Sequence, residues 1–144
     1  TVAREKAAGV IPADAEDAPR PANLPHWDSL SDAQKQLYCR FMEAYAASLA
    51  FADTQIGRVI DELKRTGAYD NTLIVYIQGD NGASAEGSYN GKLYEQSSLS
   101  GVVEDQAWVN ARKDDIGTAR AYNLNTGGWA WARSGLRPWW RAST

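Results

Sequence analysis

An α/β fold is what this sequence predicts, and three observations carry the reading. Apolar residues recur at spacings of three and four from Leu37 to Leu63. Gly67 and an Asp70-Asn71 turn then break that pattern. A β-branched run follows, Thr72-Leu73-Ile74-Val75-Tyr76-Ile77-Gln78, apolar on both of its faces. A long helix, a short turn and a strand suited to cover on both sides make the αβ half of a layered domain.

Residues 1–30 read as an extended connection. Four of the five prolines, Pro12, Pro19, Pro21 and Pro25, fall in it. Proline lacks an N–H donor and disfavours helix in the residue before it. The helix is expected over 31–67. Ser31 with Gln34 three residues on fits a capping box, and Leu37, Phe41, Tyr45, Leu49, Ala52, Ile56, Ile60 and Leu63 form one apolar face. Lys64 and Arg65 suit the negative end of the helix dipole, and Gly67 suits a left-handed cap. A helix from Asp32 to Thr66 would be ~50 Å long, so a bend near Asp53 to Gly57 is expected. The strand is expected over 71–78, central in its sheet. Over 79–144 regularity fades into a glycine-punctuated polar loop and an irregular Trp- and Gly-rich tail, with a modest helix from Val102 to Asp114.

Bulk properties exclude several classes. At 144 residues, 44% hydrophobic and 23% charged, the chain suffices for one domain with a core or for a piece of something larger. A net charge of −3 argues against nucleic-acid and acidic-membrane partners, which need a concentrated basic patch. No run approaches the ~20 apolar residues that span a bilayer. The opening Thr-Val-Ala-Arg-Glu-Lys has neither an initiator Met nor the apolar stretch of a signal peptide, and reads as though cut from a longer chain. The single cysteine, Cys39, excludes an internal disulfide and sits in the helix pattern as a small buried hydrophobe. One unpaired cysteine fits the cytoplasm and is compatible with the periplasm. The single histidine, His26, stands between Pro25 and Trp27 and reads as a loop residue.

The chemistry-bearing feature is what ends the strand: Gly79-Asp80-Asn81-Gly82. Ligands of open α/β sheets bind beyond the carboxyl ends of strands. A carboxylate and an amide carbonyl placed there suit a hard cation such as Ca²⁺ or Mg²⁺. The same residues also compose surface turns, and on residue types alone the turn is the favoured reading. Asp53 reads as a packing residue and Glu86 as a solvated loop acid. Trp129, Trp131, Trp139 and Trp140 suit core or interface packing, or the lining of an aryl pocket.

The stretch from Tyr69 to Gly87, with Asp-Asn-Thr-Leu-Ile-Val-Tyr-Ile-Gln-Gly-Asp-Asn-Gly at its centre, resembles the late metal-binding motif of the arylsulfatase family, in the alkaline-phosphatase-like superfamily. The helix segment Asp53 to Leu63 resembles the helix before that motif. Gly9 to Asp14, Leu24 to Ser31, Val103 to Gln106, Asp115 to Gly117, Ala121 to Asn123 and Gly128 to Ala132 are similar, in order, to segments of large bacterial arylsulfatases. The chain thus resembles the C-terminal part of such a catalytic domain, a partial alkaline-phosphatase-like fold.

That resemblance implies hydrolysis of small-molecule sulfate esters by a formylglycine, made from a Cys or Ser in Cys/Ser-x-Pro-x-Arg, beside a calcium ion held by four side chains. Two ligands come from an early Asp pair; the other two match Asp80 and Asn81. No residue here matches the nucleophile motif, the early Asp pair, the histidines or the first lysine, and Cys39 lacks the Pro and Arg spacing. Arg141 falls near the family's sulfate-binding Lys and is the candidate substrate contact, although a guanidinium is not interchangeable with a lysine ammonium. Calcium takes six to eight oxygens and the pair offers about three. The chain is therefore expected to be inactive alone and to need the missing segments of its own domain, formylglycine included. Two alternatives remain: a phosphonate or phosphate ester hydrolase fragment of the same superfamily, and a non-catalytic remnant acting only in association.

Overall fold

The computed structural model describes residues 2–16, 19–77, 83–84 and 86–134. Its elements in chain order are helix α1 (Val2–Ala7), helix α2 (Asp32–Arg65), and the short helices α3 (Glu95–Leu99), α4 (Gln106–Asn110) and α5 (Gly127–Ser134). Single 3-10 turns lie at Trp27–Ser29, Tyr69–Asn71 and Lys113–Asp115.

The start of α2 is built as its sequence dictates. Ser31 is extended, its hydroxyl accepts from the Gln34 N–H at 3.3 Å, and its own N–H donates to Gln34 Oε1 at 2.9 Å. This reciprocal pair satisfies two backbone N–H donors that the first turn would leave orphaned. Replacing Ser31 with Ala is expected to cost about 1 kcal/mol; an unchanged urea midpoint would contradict the role. At the other end Gly67 takes φ +72°, and its N–H donates to the Lys64 carbonyl at 3.1 Å. The helix runs unbroken through Asp53 to Gly57.

The core sits on the first turns of α2. Leu37, Tyr38 and Phe41 pack with Leu30, Leu93, Val109 and Ile116, flanked by Ala44, Trp108, Ala121 and Trp129. Segment 92–94 is held against 122–124 by two isolated bridges, antiparallel at Lys92–Leu124 and parallel at Tyr94–Tyr122. Gly91, at φ +75°, brings backbone against the Phe41 ring, where a Cβ would stand 2.4 Å from Cε2. The carboxylate of Glu104 accepts the Leu93 N–H at 2.6 Å, the Tyr94 N–H at 3.1 Å and the Ser97 hydroxyl. Glu104 thereby satisfies backbone donors beside the N-terminus of α3 that no helix partner reaches.

Several expectations are corrected. Residues 72–77 are not a buried central strand. Among the described residues they belong to no β-ladder, and Leu73 and Ile77 are 88% and 86% exposed. A strand is completed by neighbours on its edges and faces. Gln78 lies outside the described residues. The apolar face of α2 is likewise buried only at its start, with Tyr45, Leu49 and Ile56 exposed. Cys39 is exposed, because it lies on the α2 face turned from Leu37 and Phe41. The helix foreseen over Val102 to Asp114 shrinks to α4, since Asp105 caps it by accepting from the Trp108 N–H at 2.7 Å and Glu104 is drawn to Leu93. The tail is helical at α5 rather than irregular, and the extended connection opens with α1, whose Ala, Arg, Glu and Lys are good helix formers. Among the described residues no helix is long and apolar enough to cross a membrane.

Candidate functional site

The residues singled out for chemistry, Asp80, Asn81 and Arg141, lie outside the described residues. So do Trp139 and Trp140. What the structure places is the frame around them. On the near side Tyr76 shares a groove with Met42, Tyr45, Leu49 and Ile56 of α2. Beyond the pair, Ser84 and Glu86 bond each other, the Ser84 hydroxyl donating to Glu86 Oε2 and accepting from the Glu86 N–H, both at 3.2 Å. Glu86 is exposed, as expected of a solvated loop acid.

The loop is then pinned. Gly87 is buried so close to the chain at 124–125 that a Cβ would stand 2.0 Å from the Asn125 carbonyl oxygen. One residue later the Ser88 carbonyl accepts the Gly127 N–H at 2.6 Å, at the start of α5. This junction sets Ala83 and Ser84 on the wall of a cavity of about 740 Å³ that α2 and α5 close with Tyr45 and Arg133. Arg133 is held there by Nε, which donates to the Trp129 carbonyl at 3.2 Å, and by stacking 3.7 Å above the Tyr45 ring. Burial pushes its guanidinium below the ordinary arginine range, an effect that the Tyr45 side chain opposes. Nothing in the sequence singled Arg133 out. Its only signal is position, four residues after Trp129 on a helix that the glycines of 127–128 hid.

A second cavity, about 840 Å³, lies on the other side of the α2 start and gathers Arg20, His26, Trp27, Tyr38, Trp129 and Trp131. The Trp27 and Trp129 rings are 5.7 Å apart and tilted by 52°. Trp129 Nε1 donates to the Tyr38 carbonyl at 2.8 Å. Tyr38 donates its hydroxyl to Asn90 Oδ1 at 3.0 Å, and burial raises its pKa above the usual phenol value. His26 is an exposed loop residue, its Nε2 accepting from Arg20 at 2.5 Å. The structure thus brings two of the four tail tryptophans, Trp129 and Trp131, into one aromatic cavity, where Trp129 also packs α5 on α2.

A divalent cation needs converging oxygen donors. Among the described residues no three His, Cys, Asp or Glu converge on one point. The donor chemistry of Asp80 and Asn81, one carboxylate and one amide carbonyl, fits a hard cation but could fill at most about half of its coordination shell.

Comparison with known proteins follows the same segments. The family model described as Sulfatase matches residues 5–123. An uncharacterized sulfatase of Schizosaccharomyces pombe is 42% identical over 85 residues, 58% of this chain and 15% of its own length. An arylsulfatase of Klebsiella aerogenes is 40% identical over 95 residues, 61% of this chain and 19% of its own. An uncharacterized sulfatase of Escherichia coli is 34% identical over 71 residues, 45% of this chain and 12% of its own. The chain therefore spans less than a fifth of the length of each of these relatives. No solved structure matches it significantly.

Proposed function

The chain belongs to the sulfatase family, and from that premise we propose that it is the C-terminal part of a sulfate ester hydrolase domain that contributes half of a calcium site. Asp80 would supply a charged carboxylate and Asn81 its side-chain carbonyl. The observation that carries this reading is the extent of the family match, which runs continuously through the Asp80-Asn81 pair. When bound, calcium would hold sulfate oxygens and stabilise charge developing on them. This chain's own share is to deliver the two donors from the end of an extended run, with Gly87 locking the far side of the loop to the start of α5. Arg141 would contact the sulfate from the tail.

The exposure of residues 72–77 and of the far half of α2 supports the view that this unit is completed by other segments. Apolar side chains on both faces of an extended run suit a covered strand of an α/β sheet. With half of the ligands and no formylglycine motif, the chain alone is catalytically silent.

Two measurements test this. Calcium titrated calorimetrically into the chain is expected to bind weakly, at millimolar levels or above, as suits an incomplete ligand set. Asp80→Ala and Asn81→Ala should each abolish that heat. Equal binding by wild type and Asp80→Ala would remove Asp80 as a ligand. With 4-nitrophenyl sulfate and added calcium the chain should release no nitrophenol above background, and turnover would overturn its incompleteness.

A further inference from the structure

We propose that the extended run 72–77 binds a second copy of this chain, the two runs pairing antiparallel across a two-fold axis at Val75. The inference goes beyond the calcium reading, because it concerns what covers this run in the 144-residue chain itself. Composition favours an identical partner. Thr72-Leu73-Ile74-Val75-Tyr76-Ile77 consists of β-branched and aromatic residues with one leucine, and holds no charge, glycine or proline. Uncharged runs of this length and kind are the signature of strands that pair with copies of themselves.

Side chains and backbone are both accessible. Leu73, Val75 and Ile77 alternate along one face of the run and are 88%, 67% and 86% exposed. Their own N–H and C=O groups make no backbone bond among the described residues. An extended segment in that state offers an edge that a strand from another chain can extend. A two-stranded ladder is marginal in water unless a helix backs it. Helix α2 supplies the backing in each copy, since Tyr76 shares its groove with Met42, Tyr45, Leu49 and Ile56.

The register is self-complementary. A two-fold axis at Val75 sets Val75 against the partner's Val75, Leu73 against the partner's Ile77 and Ile74 against the partner's Tyr76. Apolar meets apolar at every position, and β-branched residues opposite aromatic ones stabilise antiparallel ladders. The 3-10 turn at Tyr69–Asn71 precedes the run and keeps the Asp70 carboxylate out of the pairing. Charge argues against a lipid surface as the occupant. No Lys or Arg occurs from residue 66 to residue 91, whereas Asp70, Asp80 and Glu86 do, and anionic membranes attract basic segments. A strand from another part of a longer chain is the competing occupant, and the test separates the two.

The test is sedimentation velocity of the 144-residue chain in chelator-containing buffer, which removes any contribution from calcium. The wild type should show a dimer or larger species whose share grows with concentration. Val75→Lys and Val75→Glu each place like charges face to face on the axis, and each should sediment as a monomer. Val75 lies outside the core cluster, so both variants should keep the wild-type urea midpoint. An equimolar mixture of the two sets Lys against Glu and should recover the association, which neither unfolding nor a general loss of apolar surface would do. A wild type that stays monomeric at every concentration, association unchanged in the single variants, or a mixture that stays monomeric would overturn the proposal.

Discussion

Phe41→Ala should lower the unfolding free energy by about 3–5 kcal/mol, the usual cost of truncating a buried phenylalanine. Among the described residues Phe41 is the largest side chain with no solvent exposure, and it belongs to the cluster joining α2 to Leu93, Val109 and Ile116. Removing the ring takes away its transfer free energy and leaves a void. That void has little way to collapse, because Gly91, whose backbone faces the ring, brings no side chain into it. Native domains are stable by about 5–15 kcal/mol in all, so the variant should be marginal at room temperature. Urea unfolding followed by tryptophan fluorescence measures this, and a loss under about 1 kcal/mol would mean that Phe41 is not the centre of the core.

The second large effect is expected at the same contact from the other side. Gly91→Ala should cost about 2–5 kcal/mol, from two causes that can be separated. The residue has φ +75°, a conformation that strains any residue with a Cβ. The added methyl would also stand 2.4 Å and 2.6 Å from Cε2 and Cζ of Phe41, far inside van der Waals contact. A double-mutant cycle divides the two. In the Phe41→Ala background the clash is gone, so Gly91→Ala should cost only the backbone strain, about 1–2 kcal/mol. Strict additivity would show that the ring and the glycine do not meet in solution.

The parts of this fold legible in the sequence are those fixed by neighbours in the chain. The Ser31–Gln34 box and the Gly67 cap depend on residues three or four apart, and both form as read. The pattern at 72–77 reports something different. Apolar residues on both faces specify the surroundings that a strand is suited to, and the described residues do not provide them. Cys39 was legible and misread: two residues from both Leu37 and Phe41, it falls on the side of a helix opposite to them, and it is exposed. Glu104 was read as part of a helix and is instead spent on Leu93, Tyr94 and Ser97, a choice made by tertiary contact that no local propensity contains.

The site divides along the same line. Asp80 and Asn81 were legible because a motif carries them in sequence. The cavity beside it was not, because Arg133, Asn125 and Ser84 come from separate stretches and are brought to one place only by the packing of the chain. An arginine in a tryptophan-rich tail gives no warning of its surroundings.

The placing of the core at the start of α2 bears on how the chain finds its fold. The bonds that hold the core together join residues far apart: Tyr38 to Asn90 across 52 positions, Arg40 to Ile116 across 76, Trp129 to Tyr38 across 91. The far half of α2 and the extended run lie inside these closures as an excursion that the core does not grip. Closure entropy rises only logarithmically, about 0.6 kcal/mol for each doubling of the loop. The core therefore sets almost no limit on how long that excursion is. Its length is felt in the time needed to bring distant segments together, and folding rate is the property that lengthening or trimming it would move.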